Sequence, residues 1–328
     1  MDRRRFLLTS LAGALAAPLA ADTQQAGRMY RIGYLLDGRP PDQTPSPPLR
    51  ALEETLRELG YVEGRNLVVE RRFAAFQYDR LPDLAAELVR LKLDVIVTGG
   101  NPAIAALKRA TTTVPIVMLW AEDPVGAGLV TSLARPGGNI TGSSLTAGPE
   151  FSAKQLEILN EIVPKLSRVA ILRQTGRSGA YTAAFESTAR KLGLTILFAD
   201  VRTPNDIEGA FATMTRSRAD AFLILGGSMT YVSRQQIADL AVQHRLPGIQ
   251  LLRQYAEAGL LLTYGPKLDE TYRRTAAYID KIFKGARPGD LPVAAPTQFE
   301  LVINLKTAKA LGLTIPQSLL QRADQVIE

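Results

Sequence analysis

The chain of 328 residues contains no cysteine and a single histidine, His244. Without cysteine, disulfides, thiolate metal sites and cysteine nucleophiles are excluded, and a lone histidine excludes zinc motifs built on paired histidines. The formal net charge is +7, yet lysine and arginine form no run after Arg5. Scattered basic charge of this kind is typical of a solvated surface rather than of a nucleic-acid site. We therefore expect no metal, no cofactor and no nucleic-acid partner.

Long apolar runs are also scarce, and the one extended apolar segment lies at the N-terminus. Three arginines at positions 3–5 precede a Leu/Ala-rich segment at 6–19, and small residues follow it. This is the layout of a secretory signal peptide, and the basic string resembles a twin-arginine export signal, with an ordinary leader as the alternative. We expect residues 1–27 to be signal peptide and linker, and the mature protein to lie in the periplasm. No later apolar run reaches the ~18 residues of a membrane span.

Short apolar strands alternate with amphipathic helices along the rest of the chain. Four strand–helix units precede Gly142, and the same pattern then restarts. The run Asp94–Thr98 shows no polar alternation, as expected of a parallel strand that is covered on both faces. Two lobes of similar build explain the pattern better than one sheet of ten strands. The predicted fold class is α/β, with two Rossmann-like lobes that contain parallel sheets and are joined by a hinge.

The C-terminal part is expected to cross between the lobes again, because Pro/Gly-rich stretches flank its long helix. We expect the first lobe to contain residues 28–142 and about 263–290. The second lobe is expected to contain residues 143–262 and about 291–328. The segment Asn139–Ser143 is expected to be the first of three crossings.

Ligands in open α/β sheets bind beyond the carboxyl ends of the strands, and two turns of the first lobe lie there. The acidic turn Ala121–Pro124 offers Asp123 for a ligand ammonium group; the alternative is that Asp123 caps the next helix. The turn Thr98–Asn101 has two glycines, which indicates either carboxylate binding by free backbone N–H groups or a tight turn that needs glycine. Trp120 is the strongest aromatic candidate, because it precedes the acidic turn.

The second lobe offers a turn of its own, Gly226–Thr230, directly after a buried strand. The turn approaches the nucleophile pattern G-x-S-x-G but lacks the last glycine, and His244 lies at the far end of the next helix. Serine hydrolysis is therefore disfavoured, and Ser228 is a binding candidate. Aromatic residues near strand ends supply stacking area, with a place in the lobe cores as their alternative role. The candidate ligand-binding residues are Asp37, Thr98, Gly99, Gly100, Asn101, Trp120, Asp123, Thr175, Ser178, Tyr181, Ser228, Tyr231 and Tyr264.

Six strings along the chain are distinctive enough to compare with known families: Gly60–Asn66, Asp79–Pro82, Ala86–Val89, Asp123–Gly126, Ser132–Asn139 and Phe299–Gly312. They resemble the ABC-transporter substrate-binding family, in the branch related to aromatic-amino-acid-binding proteins. The resemblance implies a type I periplasmic-binding fold with two lobes, three crossover strands and a hinged cleft. Two loops that would line the cleft, Arg173–Ser178 and Gly226–Met229, depart from the family pattern. A basic Arg173 or Arg177 there would suit an anionic ligand.

We therefore expect an extracytoplasmic solute-binding protein and not an enzyme. It would capture a small polar or carboxylate-bearing molecule, such as an amino acid or an aromatic acid, by hinge closure. The expected partner is the permease of an ABC importer. The alternatives are an exported sensor domain that presents its ligand to a receptor and, with less support, a hydrolase that acts at Ser228 or through a carboxylate pair.

Thermal-shift screening of amino acids, aromatic acids and other small carboxylates should find at least one compound that raises the melting temperature. A ligand that binds only the folded state stabilises that state. No stabilisation across a broad library would count against a binding role. Uptake assays in a deletion strain separate import from sensing, since loss of a pure sensor leaves uptake intact.

Overall fold

The computed structural model describes residues 28–40, 47–145, 150–175 and 179–328, so the expected leader lies outside the described residues. Two sheets are present in this part of the chain, one of five strands and one of seven. The strands of the first sheet are β1 (Tyr30–Leu36), β2 (Leu67–Phe73), β3 (Val95–Gly99), β4 (Ile116–Ala121) and β5 (Ile140–Ser144). The strands of the second are β6 (Arg168–Gln174), β7 (Thr195–Val201), β8 (Ala221–Leu225), β9 (Gly248–Gln250), β10 (Leu262–Pro266), β11 (Phe299–Asn304) and β12 (Gln325–Ile327). The predicted α/β architecture with two sheet-containing lobes is confirmed.

Helices cover both faces of each sheet. They are α1 (Pro47–Glu58), α2 (Leu81–Arg90), α3 (Asn101–Ala110), α4 (Glu150–Ile162), α5 (Gly179–Lys191), α6 (Asp206–Arg216), α7 (Ser228–Val232), α8 (Arg234–Gln243), α9 (Arg253–Glu257), α10 (Leu268–Phe283), α11 (Leu305–Leu311) and α12 (Gln317–Leu320). Single 3₁₀ turns occur at Tyr78–Arg80 and Pro288–Asp290. Among the described residues no helix is long and apolar enough to cross a membrane.

The first sheet has the strand order β2-β1-β3-β4-β5, with every neighbouring pair parallel. All residues of its central strand β3 are buried. Ile96 packs with α2 and α3 on one face, whereas Val95 and Val97 pack with α1 and α10 on the other. The unbroken apolar run in the sequence therefore reflects burial on both faces of a parallel sheet. This sheet with α1, α2, α3 and α10 is the first lobe.

The second sheet has the order β12-β11-β10-β9-β8-β6-β7. Its strands are parallel except for the antiparallel pair of β10 and β11. The antiparallel step arises because the chain leaves this sheet after β10, passes through α10 in the first lobe, and returns as β11. This sheet with α4–α9, α11 and α12 is the second lobe.

The chain passes between the lobes three times. The first passage follows β5 and leads into α4, the second is at Lys267 between β10 and α10, and the third spans residues 295–298 before β11. Helix α10 packs against α1, β4 and β5. Ala294, just before the third passage, forms a parallel bridge with Ser143 of β5. Chain passages of this kind form a hinge, about which two lobes can rotate as bodies without separating.

The lobe boundaries differ by a few residues from those expected. Asn139–Ser143 is not a crossing, because Ile140–Ser144 forms the edge strand β5 of the first sheet. Residues from 263 were expected in the first lobe, yet β10 pairs in the second sheet to Pro266. Residues from 291 were expected in the second lobe, yet Val293 packs in the core of the first. A buried edge strand has the same composition as a central strand, so the sequence shows no change at these points. The boundary is decided by which strands are paired through backbone hydrogen bonds.

The packing of β5 against β4 leaves no space for a side chain at Gly142, which can be tested. Its φ is +128°, and a Cβ atom there would lie 2.3 Å from the carbonyl oxygen of Met118 on β4. We expect Gly142→Ala to lower the free energy of unfolding by about 3 kcal/mol or more, because backbone atoms cannot give way cheaply. Gly209→Ala in α6 meets open space and should raise stability by about 0.5–1 kcal/mol. Urea denaturation measures both; equal midpoints for the two variants would contradict this packing.

Candidate functional site

A cavity of about 250 Å³ lies between the two lobes, at the carboxyl ends of strands from both sheets. Five aromatic side chains line it: Phe73, Trp120, Tyr231, Tyr255 and Tyr272. Its charged, amide and hydroxyl side chains are Asp37, Arg39, Glu122, Ser228 and Gln250. A concave, mainly apolar wall with a few placed polar groups is the usual form of a small-molecule site.

Asp37 connects the two lobes across this cavity. It follows β1, is 6% exposed, and accepts at Oδ1 a hydrogen bond from the hydroxyl of Ser228, the first residue of α7 in the second lobe. An ionised carboxylate has about four acceptor positions, so it can accept hydrogen bonds from several donors at once. Because a buried carboxylate is stable only when paired or hydrogen-bonded, this position favours a ligand that brings N–H donors.

Trp120 lies over the glycines of the neighbouring strand end. A Cβ atom on Gly99 would be 2.5 Å from the indole Nε1, and one on Gly100, whose φ is +87°, would be 3.1 Å from the indole ring. The same indole packs against hydrophobic core residues of both lobes. The two glycines are therefore needed to admit a ring, which is a third role beside the two considered from the sequence.

The other two residues of the Thr98–Asn101 turn form hydrogen bonds with backbone groups of neighbouring segments. The Thr98 hydroxyl donates to the carbonyl of Leu35 at 2.8 Å. Asn101 Nδ2 donates to the Glu122 carbonyl at 2.7 Å, and its Oδ1 accepts the Glu122 N–H at 2.9 Å. Thr98 and Asn101 do not line the cavity, whereas Gly99 does. These side chains fix the strand ends from which Trp120 and Glu122 project.

Glu122, rather than Asp123, lines the cavity from the acidic turn. Glu122 is 7% exposed, while the carboxylate of Asp123 accepts the N–H of Gly126 at 3.0 Å and closes the next turn. Strand β4 ends at Ala121, and Asp123 has a φ of +40°, so the chain turns at Asp123 and its side chain does not continue along the cavity wall. No helix begins in the described residues 124–145, so Asp123 closes a turn rather than capping a helix, and its neighbour Glu122 lines the cavity.

Two tyrosines line the cavity from opposite lobes, Tyr272 on α10 and Tyr231 on α7. Burial raises the pKa of the Tyr272 phenol, and the nearby Tyr231 and Asp37 raise it further. Burial also raises the pKa of the Tyr231 phenol. Both phenols are therefore neutral near pH 7 and combine an apolar ring with a hydroxyl that donates or accepts.

Several candidate residues lie away from the cavity. Tyr264 stacks with Phe151 and Phe299 at centroid distances of 5.8 Å in each case, within a separate aromatic cluster of the second lobe. Thr175 donates its backbone N–H to Val201 at 3.0 Å and is not on the cavity wall. Ser178 and the side chain of Tyr181 lie outside the described residues.

Arg173 does not supply a charge to the cavity. Its guanidinium donates two hydrogen bonds to Asp200, at 2.7 and 2.9 Å, and lies over the ring of Phe198. The hydrogen bonds from Arg173 hold the pKa of the Asp200 carboxyl below its usual range. A basic group facing an anionic ligand is therefore not found at this position, and Arg177 lies outside the described residues.

Neither Ser228 nor the carboxylates form a recognisable catalytic arrangement. The Ser228 hydroxyl donates to Asp37, whereas the Nδ1 of His244 lies 3.0 Å from the hydroxyl of Thr215. The triad in which an imidazole takes the serine proton is therefore not formed at Ser228, since the lone imidazole contacts Thr215. Among the described residues no group of three or more His, Asp or Glu side chains is placed to hold a metal ion.

Six of the aromatic and polar side chains on the cavity wall were not among the candidates: Arg39, Phe73, Glu122, Gln250, Tyr255 and Tyr272. Gln250 carried a usable signal, because a polar side chain ends an apolar strand at the edge where ligands bind. The sequence around Tyr272 carried no such signal, since this residue reaches the cavity only because α10 packs back onto the first lobe. Tyr255 belongs to the short helix α9 after β9, which the periodicity did not indicate.

Residues 49–327 match the family model described as ABC transporter substrate binding protein. The chain belongs to this family. The resemblance drawn from the six sequence strings is thereby confirmed. That description names a protein that binds a substrate for an ABC transporter. The cavity between the lobes is accordingly the candidate solute site of this substrate-binding protein.

Relatives of this substrate-binding protein agree with that assignment. A tyrosine-binding protein of Clostridioides difficile (strain R20291) is 24% identical over 262 residues, covering 79% of this chain and 75% of the relative. A conserved domain protein from Vibrio cholerae superposes with a TM-score of 0.82 at 27% identity, over 91% of this chain and 100% of that chain. An ABC domain in complex with L-Trp from Streptococcus pneumonia has a TM-score of 0.80, also at 27% identity and with the same coverage of 91% and 100%.

The packing of Trp120 on Gly99 can be tested by fluorescence, because this substrate-binding protein has only one tryptophan. Gly99→Ala puts a methyl group 2.5 Å from the indole Nε1, so the ring must leave its place between the lobes. We expect the emission maximum to move to longer wavelength as the indole meets water. Gly209→Ala, in open space on α6, should emit like the wild type. An unshifted spectrum for folded Gly99→Ala would contradict the placement of the ring.

Proposed function

We propose that the protein is an exported solute-binding protein whose ligand carries an amine next to an aromatic or apolar group, as an aromatic amino acid does. It delivers this ligand from the periplasm to the permease of an ABC importer and performs no chemistry on it. The observation that carries the proposal is the Asp37 carboxylate, buried in an aromatic-lined cavity between the lobes.

The charges on the cavity wall favour a cationic group on the ligand. Two carboxylates, Asp37 and Glu122, are buried there at 6% and 7% exposure. Arg39 also lines the cavity but is exposed. Charges act more strongly where water is excluded, so the buried acids outweigh a solvated guanidinium. An ammonium group would find a partner in such a site, whereas a ligand bearing only a carboxylate would meet repulsion.

The apolar wall supports a ring on the ligand. Trp120, Tyr231, Tyr255 and Tyr272 bring large flat surfaces from both lobes to one cavity. Aromatic pairs gain about 0.5–1.5 kcal/mol beyond simple burial when rings stack or meet edge to face. The named ligands of two relatives, tyrosine for one and L-Trp for the other, support the same class.

Contacts between the lobes support capture by closure. Gln174 at the end of β6 donates a hydrogen bond to the hydroxyl of Tyr78 in the first lobe, and Phe76 packs against the second-lobe core. The Ser228–Asp37 hydrogen bond adds a link inside the cavity. A ligand that contacts both walls would shift the equilibrium toward this arrangement, and the permease can then recognise the closed form.

The role of Asp37 is tested by titration calorimetry of Asp37→Asn with L-tyrosine, L-tryptophan and L-phenylalanine. We expect affinity to fall about 100-fold, or about 2.7 kcal/mol, because a buried ammonium loses its charged partner while the shape of the site is kept. Asp123→Asn is the matched control, since the carboxylate of Asp123 closes a turn away from the cavity, and it should bind as the wild type does. Equal affinity of Asp37→Asn and wild type would overturn this assignment.

A further inference from the structure

We propose that Gln250 binds the carboxylate of the ligand from the second lobe, so that one ligand carrying both an ammonium and a carboxylate connects the two lobes. This inference rests on the proposed function and narrows its ligand class from amines to amino acids. It assigns one charged group of the ligand to each lobe.

Gln250 is the last residue of β9, in the interior of the second sheet. It is 3% exposed and lines the cavity. Its Oε1 accepts a hydrogen bond from the backbone N–H of Leu252. Since only the oxygen of the amide can accept, this bond fixes which end of the amide is which. The Nε2 group is therefore the end left to face the cavity.

Within the part of the chain that the structure describes, the Nε2 group of Gln250 donates to no protein acceptor. Gln250 borders the cavity and is largely shielded from bulk water, so an acceptor supplied in the cavity would stabilise this donor. The strongest acceptor that a small molecule brings is a carboxylate, because its hydrogen bonds are charge-assisted. The amide of Gln250 thus provides a neutral, directional donor for that group.

The charges of the first lobe direct the ligand carboxylate toward the second. Asp37 and Glu122 are both on first-lobe strand ends and would repel it. Gly226 and Gly227, which follow the neighbouring strand β8, also line the cavity and bring no side chain between the ligand and the sheet edge. The ammonium at Asp37 and the carboxylate at Gln250 then give the ligand a single orientation across the cleft.

The test titrates wild type, Gln250→Met and Gln250→Glu with L-tyrosine, with L-phenylalanine and with tyramine, which lacks the carboxylate. Gln250→Met keeps the volume and removes the donor, and should lower L-tyrosine affinity about 10- to 100-fold while tyramine affinity changes less than about twofold. Gln250→Glu adds a negative charge, so it should reject L-tyrosine more strongly and bind tyramine at least as well as wild type. Gln254→Met on α9, off the cavity wall, is the matched control and should leave all three affinities unchanged.

Three results would overturn the inference, and they are distinct. Equal losses for L-tyrosine and tyramine would assign Gln250 a structural role only. A loss for L-tyrosine without one for L-phenylalanine would place the amide at the ring hydroxyl. Wild-type protein that binds tyramine as tightly as L-tyrosine would show that the carboxylate is not recognised, although the proposed function would stand. Failure of the wild type to bind any of these compounds would instead refute the proposed function, and the inference with it.

Discussion

The indole of Trp120 packs against the hydrophobic cores of both lobes while it lies over the backbone of Gly99 and Gly100. This contact sets how closely the lobes approach at the strand ends, and the cavity is the space that remains beside it. It also explains why the strand-end turn needs two glycines, since a side chain at either position would occupy the volume of the ring.

The two lobes present different chemistry to the cavity. The first lobe brings buried carboxylates, Asp37 and Glu122, whereas the second brings a hydroxyl and an amide, Ser228 and Gln250. An arrangement of this kind suits recognition of a charged small molecule by fixed partners. The same hydroxyl that resembles a nucleophile in the sequence is a hydrogen-bond donor to a carboxylate in the fold. Binding and interlobe contact therefore use the same atoms.

A second interlobe contact is made by a backbone segment under strain. Ala75 and Phe76 have φ values of +52° and +65°, a left-handed conformation that costs about 1–2 kcal/mol for residues other than glycine. The N–H of Phe76 donates to the Asp37 carbonyl at 2.7 Å, and the Phe76 side chain packs against the second-lobe core. The segment thereby connects the residue proposed to bind the ammonium with the opposite lobe. Such strain persists only where surrounding contacts maintain it.

The sequence by itself determined the two α/β lobes, their strands and helices, and the family. It could do so because hydrophobic periodicity and strand composition are local properties of the chain. The residues of β3 form one apolar run, and the apolar face of α10 is visible in consecutive residues. It also indicated Asp37, Gly99, Trp120, Ser228 and Tyr231, which line the cavity because strand ends of parallel sheets meet at one edge. Side-chain direction was less accessible, so Asp123 was preferred to Glu122.

Only the tertiary structure decided which residues meet across the cleft. Tyr272 reaches the cavity because α10 returns to the first lobe, and Gln250 does so because β9 lies beside β8 rather than at an edge. Tyr264 and Arg173 match the sequence pattern equally well, yet Tyr264 lies in the middle of β10 and both side chains find partners within the second lobe. Periodicity places a residue at the end of a strand, but contacts between segments distant in sequence decide whether its side chain enters the core, a surface ion pair or the ligand site.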